Sequence, residues 1–205
     1  MTDYNDEYLT LSKPSEGLFK DRGSKFLAFA FPVCSEEEIK EIQEQLRNQY
    51  HDARHHCYAY ILGIKQENYR ANDDGEPSST AGKPILGQIR SFQLTNVLIV
   101  VIRYFGGTKL GVGGLIHAYK TAAEEALKNA KIIKKTLYDI YALKFDYPQM
   151  NEVMRIMKEQ NIEQIDQCFE LSCSITLALR KAEAEKVLAK FERVENLNIE
   201  FIETR

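Results

Sequence analysis

The chain of 205 residues lacks any apolar run near the roughly 20 residues that cross a bilayer, so no membrane-spanning helix is expected. Its opening stretch, Met1-Thr2-Asp3-Tyr4-Asn5-Asp6-Glu7, lacks the basic-then-apolar pattern of a secretory leader, and the cytoplasm is the expected location. The four cysteines, Cys34, Cys57, Cys168 and Cys173, include no CxxC pair and read as buried thiols. No internal repeat and no low-complexity segment is present. No glycine-lysine-serine or glycine-lysine-threonine run follows the phosphate-loop spacing, and Gly111-Val112-Gly113-Gly114 misses the third glycine of the dinucleotide fingerprint. The acids near Asp73 miss the calcium-loop spacing. His51 and His55 flank no glutamate of the kind that serves as base between zinc-binding histidines. Neither a metal nor a cofactor is therefore expected.

Hydrophobic residues make up 44% and charged residues 28%, a composition ordinary for a globular protein of one large or two small domains. The net charge of −3 hides an asymmetry: residues 81–134 sum to +6, which leaves about −9 for the rest. A basic segment in an acidic chain points to a phosphate-bearing partner. Within that segment, Lys120, Lys128, Lys131 and Lys134 read as solvated helix faces. The centre of interest is Arg103-Tyr104-Phe105-Gly106-Gly107-Thr108-Lys109-Leu110-Gly111, between an apolar strand pattern at 97–104 and a helical pattern at 112–130. Glycines there permit positive φ and close backbone approach. Arg103 and Lys109 beside a helix start form a candidate anion site.

Residues 23–33 are β-rich. Ser35 and Glu38 form a capping-box pattern ahead of a helix face of Ile39, Ile42, Leu46 and Tyr50. Strands are expected over 57–64 and 69–71. Ser79 or Thr80 is expected to cap a helix running to about Phe92. The pattern restarts near Lys135. Tyr141, Leu143, Phe145 and Tyr147 share a strand face, and Pro148 opens a helix with inner face Met150, Val153, Met154 and Met157. A strand at 162–169 is followed by strict alternation of Leu171, Cys173, Ile175, Leu177 and Leu179 with Ser172, Ser174, Thr176 and Arg180, which predicts one wet sheet face. Ala184, Val187, Leu188 and Phe191 mark a second helix, and Leu197, Ile199 and Phe201 a last strand. The order β-α-β-β-α-β is that of a ferredoxin-like unit. The expected domains are 1–132 and 133–205, with no flexible linker between them.

Two further segments carry candidate chemistry. Asn72 to Lys83 combines Asp74 and Glu76 with the hydroxyls of Ser78, Ser79 and Thr80 and with Lys83 as counter-charge for phosphate. His51, Arg54, His55, His56 and Cys57 form the second; if Cys57 begins a strand, His56 and Cys57 face opposite ways. No Ser-His-acid arrangement is legible from spacing.

Four motifs together resemble the family of bacterial YigZ-like and eukaryotic IMPACT proteins. They are Gly23-Ser24-Lys25-Phe26, Arg54-His55-His56-Cys57-Tyr58-Ala59, Asp73 to Gly82, and Arg103 to Gly111. The resemblance covers essentially the whole chain. It implies an α+β protein whose first domain is similar to domain 2 of a small-subunit ribosomal protein, of the left-handed βαβ type. That fold also occurs in elongation factor G, followed there by a ferredoxin-like domain. Eukaryotic relatives are linked to translational control through competition for a kinase activator, using an additional N-terminal domain. That domain is not expected here, because the Gly23 motif comes almost at once, so the kinase role is not carried over.

The leading expectation is an RNA- or ribosome-binding protein with a role in translation regulation and a partner in the translation machinery. Its surface would comprise Lys25, Arg54, Lys83, Arg103 and Lys109, with Gly106, Gly107 and Gly111 admitting phosphate and Tyr58, Tyr104 and Phe105 available for base stacking. The alternatives are an enzyme acting on a small phosphorylated or acidic ligand at His55, His56 and Asp74, or a protein-interaction module. No catalytic residue is assigned.

Overall fold

The computed structural model describes residues 6–169 and 173–205. The chain is a mixed α/β protein of two compact units, Tyr8–Lys135 and Thr136–Arg205, with Asp6 and Glu7 belonging to the latter.

The first unit runs β1 (Glu7–Leu11), β2 (Ser15–Asp21), β3 (Ser24–Pro32), α1 (Glu36–Gln49), β4 (His55–Leu62), β5 (Asn68–Asn72), α2 (Gly82–Ser91), β6 (Val97–Tyr104), α3 (Gly111–Lys128) and β7 (Ile132–Thr136). Five strands form one antiparallel sheet in the order β2-β3-β6-β4-β5. Helices cover both faces. On one, Ile39 and Leu46 of α1 meet Phe29, Tyr58, Leu98 and Val100. On the other, α2 and α3 pack Ile85, Ile89, Ala118, Tyr119 and Ala122 over Phe26, Cys57, Ala59, Ile99 and Val101. Covered on both sides, β6 is apolar from Val97 to Ile102, which is why it reads as an unbroken run rather than an alternation. Each large side chain buried there contributes about 1.5–3 kcal/mol.

The capping box at α1 forms with a shift of one residue. Ser35 Oγ accepts from the Glu38 N–H at 3.3 Å, but the Glu38 carboxylate reaches the Cys34 N–H at 2.7 Å rather than that of Ser35. Ser79 and Thr80 do not cap α2. Its N-cap is Ala81, and the Asp73 carboxylate takes the N–H groups of Ser79, Ala81 and Gly82 at 2.7–2.9 Å. Those three bonds hold the Asp73 carboxyl below its usual range against the opposing effect of burial. Thr80 Oγ1 instead donates to the Pro77 carbonyl at 2.6 Å. Residues Ile132–Thr136 form strand β7, paired with β1 in a two-stranded sheet. β1 and β2 have no counterpart in the sequence reading.

The second unit runs β8 (Tyr138–Phe145), a 3-10 turn (Tyr147–Gln149), α4 (Met150–Glu159), β9 (Gln164–Phe169), β10 (Cys173–Arg180), α5 (Lys181–Phe191) and β11 (Asn198–Thr204). Its sheet is antiparallel in the order β11-β8-β10-β9. Cys173, Ile175, Leu177 and Leu179 face the two helices as their alternation requires; Leu171 and Ser172 lie outside the described residues. Tyr147 falls in the 3-10 turn, past the strand, and is 74% exposed. On α4 the inner position expected for Met154, which is exposed, belongs to Ile156. Asp6, buried, accepts from Arg180 Nε at 2.9 Å and from the Ala182 N–H at the start of α5 at 3.1 Å. The Arg180 bonds hold its carboxyl below the usual range. Of the cysteines, Cys57 and Cys173 are buried, whereas Cys34 and Cys168 are exposed, contrary to the reading of all four as buried.

Candidate functional site

The sequence motifs converge on one end of the five-stranded sheet, where β2 and β6 end and β3 and β4 begin. His55 opens β4 directly opposite Arg103 of β6, which in turn stands opposite Phe26 of β3. All three therefore point to the face covered by α2 and α3. Asp74 and Gly75 both take positive φ, 40° and 84°, and the Glu76 N–H closes the turn on the Asp73 carbonyl at 2.9 Å. This turn carries Glu76 beneath the sheet end.

There Glu76 Oε1 accepts from Arg103 Nη1 at 2.6 Å and from the Tyr119 hydroxyl at 2.8 Å. The Arg103 and Glu76 side chains are only 8% and 3% exposed, so the charge that the sequence offers as a phosphate contact is neutralised inside the protein. The Arg103 guanidinium carbon also lies over two rings, 5.5 Å from the Phe26 centroid and 5.6 Å from that of Phe105. Behind Tyr119, the Cys57 thiol donates to the Asp73 carbonyl at 2.9 Å and lies 3.3 Å from the Tyr119 oxygen. Burial pushes both Cys57 and Tyr119 well up, which leaves them protonated and inert as nucleophiles.

Around this buried group opens a cleft of about 920 Å³, lined by Arg54, His55, Glu76, Arg103, Phe105, Lys109 and the start of α3. His55 Nδ1 lies 2.8 Å from the Asp74 carbonyl. A carbonyl only accepts, so Nδ1 carries the proton of that bond. His56 points to the other face of β4 and is buried; burial lowers its pKa, Arg47 adds to that, and Nε2 has no partner. His55 and His56 are thus not one site. α1 ends at Gln49, so His51 and His55 lie beyond it and on no common helix. Among the described residues no group of three metal-capable side chains forms. Asp74 is structural: it accepts from the His56 N–H at 2.6 Å and pairs with Arg47 at 3.0 Å.

The glycine loop divides by role. Gly106 packs against the β2–β3 turn so closely that a Cβ would stand 1.9 Å from the Gly23 carbonyl carbon, and its N–H donates to Ser24 Oγ at 3.1 Å. Gly107 and Gly111 take φ of 90° and 72° and face open space. α3 begins at Gly111 with no side-chain cap. Tyr104 is half-buried and donates to Asp52 at 2.7 Å, a bond that pushes its pKa up to about 12. Tyr58 is buried, and Phe105 is 57% exposed. Ser78 and Lys83 are exposed but absent from the cleft lining, as are Ser79 and Thr80.

The sequence reading overlooked Lys20 and Arg22. Lys20 stands directly opposite Lys25 across β2–β3, and Arg22 sits in the turn between them. With Arg54 and Lys109 they make five exposed cations at this sheet end. None has a carboxylate partner among the described residues.

Residues 22–127 match the model of the Impact N-terminal domain, a span that includes all four motifs. The chain belongs to the IMPACT family. It is 35% identical over 152 residues to the IMPACT family member YvyE of Bacillus subtilis (strain 168), covering 74% of this chain and 70% of that protein. IMPACT family member YigZ of Escherichia coli (strain K12) is 29% identical over 187 residues, covering 90% and 92%. A crystal structure described as that of a hypothetical protein superposes with a TM-score of 0.71 at 30% identity, covering 97% of this chain and 98% of that one. No helix among the described residues of this IMPACT family member is long and apolar enough to cross a membrane.

Proposed function

We propose that this IMPACT family member binds RNA, including RNA presented by the ribosome, and acts in the control of translation. The observation that carries this reading is the cluster of Lys20, Arg22, Lys25, Arg54 and Lys109 at one sheet end, without carboxylate partners among the described residues. Like charges directly opposite on adjacent strands, as Lys20 and Lys25 are, destabilise a sheet. A polyanion lying across them removes that repulsion and releases counterions. Phe105, exposed at the same end, offers a ring for an unpaired base, which favours single strands over duplex. In the same reading, the second unit is ferredoxin-like, in keeping with its element order and its sheet order β11-β8-β10-β9, and the first is similar to domain 2 of a small-subunit ribosomal protein.

The test is fluorescence anisotropy of a labelled single-stranded RNA across a salt series, comparing wild type with Lys20→Gln/Lys25→Gln/Lys109→Gln. Each lost phosphate contact takes about 0.7 off the slope of log K against log salt, so the triple variant is expected to flatten it by about 2. An unchanged slope refutes the surface. Arg103 is unsuitable for this test, since its removal leaves Glu76 unpaired in the interior.

A further inference from the structure

We propose that the free edge of β2 pairs with the β2 edge of a second copy of this chain, so that two five-stranded sheets continue as one across a two-fold axis at Leu18. The inference goes beyond the RNA-binding reading and does not rest on it. β2 stands at the end of its sheet and pairs with β3 alone. The two residues that join them, Arg22 and Gly23, both take positive φ, 44° and 79°, the form of the tight hairpin turn. Such a turn makes Asp21 and Ser24 a hydrogen-bonded pair, and backbone direction alternates from there. Phe19 and Gly17 therefore bond to β3, while the N–H and C=O groups of Lys20, Leu18 and Glu16 point out of the sheet. The Glu16 carbonyl accordingly accepts from the Asn129 side chain at 2.9 Å. Among the described residues, Leu18 and Lys20 have no backbone partner on that side. A row of outward strand groups is a template for a further strand.

Side chains select the occupant. Glu16, Leu18 and Lys20 are the exposed positions of β2, on the face that α1 serves. A helix is about 10 Å across and strands lie about 4.8 Å apart, so one helix covers only two or three of five strands. The cluster beneath α1 draws on β3, β4 and β6, and Leu18 is left 49% exposed beside the partly buried Leu27. An antiparallel two-fold at Leu18 sets Leu18 against Leu18 of the second copy. On either side of that apolar centre, Glu16 of one copy stands opposite Lys20 of the other, an attractive cross-strand pair. On the opposite face, Gly17 meets Phe19, so two large side chains do not collide there. Centring the axis on Glu16 or on Lys20 instead would set like charges face to face. The other edge of the same sheet, β5, has Arg70 at its middle, which a two-fold there would set against itself. The charge order of β2 is thus its own complement. The incoming Glu16 carboxylate also offsets the repulsion between Lys20 and Lys25 across β2–β3. Because the two strands run antiparallel, the cationic ends lie at opposite ends of the joint sheet, with Arg22, Lys25, Arg54 and Lys109 outside the pairing.

One seven-residue edge is a small contact beside the about 1,200 Å² of the least extensive stable interfaces, so the expected species is a concentration-dependent dimer rather than a permanent one. The experiment is sedimentation equilibrium of the full chain, free of RNA, from roughly 5 to 500 µM. It compares wild type with Glu16→Lys, Lys20→Glu and the double variant Glu16→Lys/Lys20→Glu. All three positions of the exposed row lie outside the core, and circular dichroism checks that each variant folds. Wild type is expected to move from monomer to dimer across the range. Each single reversal turns both cross-strand pairs into repulsions and should weaken association about tenfold or more. The double variant restores opposite charges in both pairs and should recover dimerisation to within about threefold of wild type. Wild type that stays monomeric throughout overturns the proposal. So does association that the single reversals leave unchanged, or that the double variant fails to recover, since either result places the contact elsewhere on the molecule. Assembly beyond the dimer would overturn the closed two-fold.

Discussion

Breaking the Arg103–Glu76 pair is the perturbation that the interior resists most. Both side chains are more than nine-tenths buried, and they meet at 2.6 Å, with the Tyr119 hydroxyl on the same carboxylate oxygen. Removing one member leaves the other as an uncompensated charge, which costs about 3–5 kcal/mol, whereas replacing both together is far cheaper. Arg103→Met and Glu76→Gln are each expected to lose about that much stability. The double variant should fall well short of the sum, by about 2–3 kcal/mol of coupling. Tyr119→Phe removes one neutral donor from an oxygen that Arg103 still serves, and should cost about 1 kcal/mol. Because the chain has no tryptophan, urea unfolding followed by far-ultraviolet circular dichroism is the suitable measurement. Single variants within about 0.5 kcal/mol of wild type, or a double variant equal to the sum, would refute the view that this pair anchors the site from within.

Asp73→Asn should cost about 1–2 kcal/mol through the lost bonds at the start of α2. Because the folded Asp73 titrates below 3.8, its contribution is full above that value and disappears as pH falls through the lower folded value. Urea unfolding between pH 2 and 6 should therefore show the gap between wild type and variant closing in acid; parallel curves would contradict this. Thiol titration with an aromatic disulfide reagent should find two fast cysteines, Cys34 and Cys168, with Cys57 and Cys173 reacting only on unfolding. A third fast thiol would show that one of the two cores, at Cys57 or at Cys173, is open to solvent.

What could be read from the sequence depended on whether the cause was local. β6 is set by its own apolar run, α1 by Ser35 and the spacing of Ile39 and Leu46, and β10 by its alternation, and each lies where the pattern places it. β1, β2 and β7 carry no such signature, because they are short or half-exposed strands with mixed faces. The caps of α2 and α5 come from Asp73 and Asp6, far outside the windows in which a cap is sought. At the site, His55, Arg103, Lys109 and Gly111 of the motifs line one cleft. Arg103 does not behave as a free cation, because its partner Glu76 arrives through a turn 27 residues away. Lys20 escaped notice because its importance comes from strand pairing, and register is not a property of any single segment.

The pairing of β1 with β7 has a topological meaning. It ties the two ends of the first unit together, with the Ser12 N–H bonded to the Lys131 carbonyl at 2.9 Å. The chain thus enters and leaves that unit at one point, as if through a single stem. A module closed in this way can be carried as an insert by another protein, or rejoined at its ends and reopened elsewhere, with its core and its cationic end intact. For such a module, the company it keeps along the chain can change while its surface chemistry stays fixed.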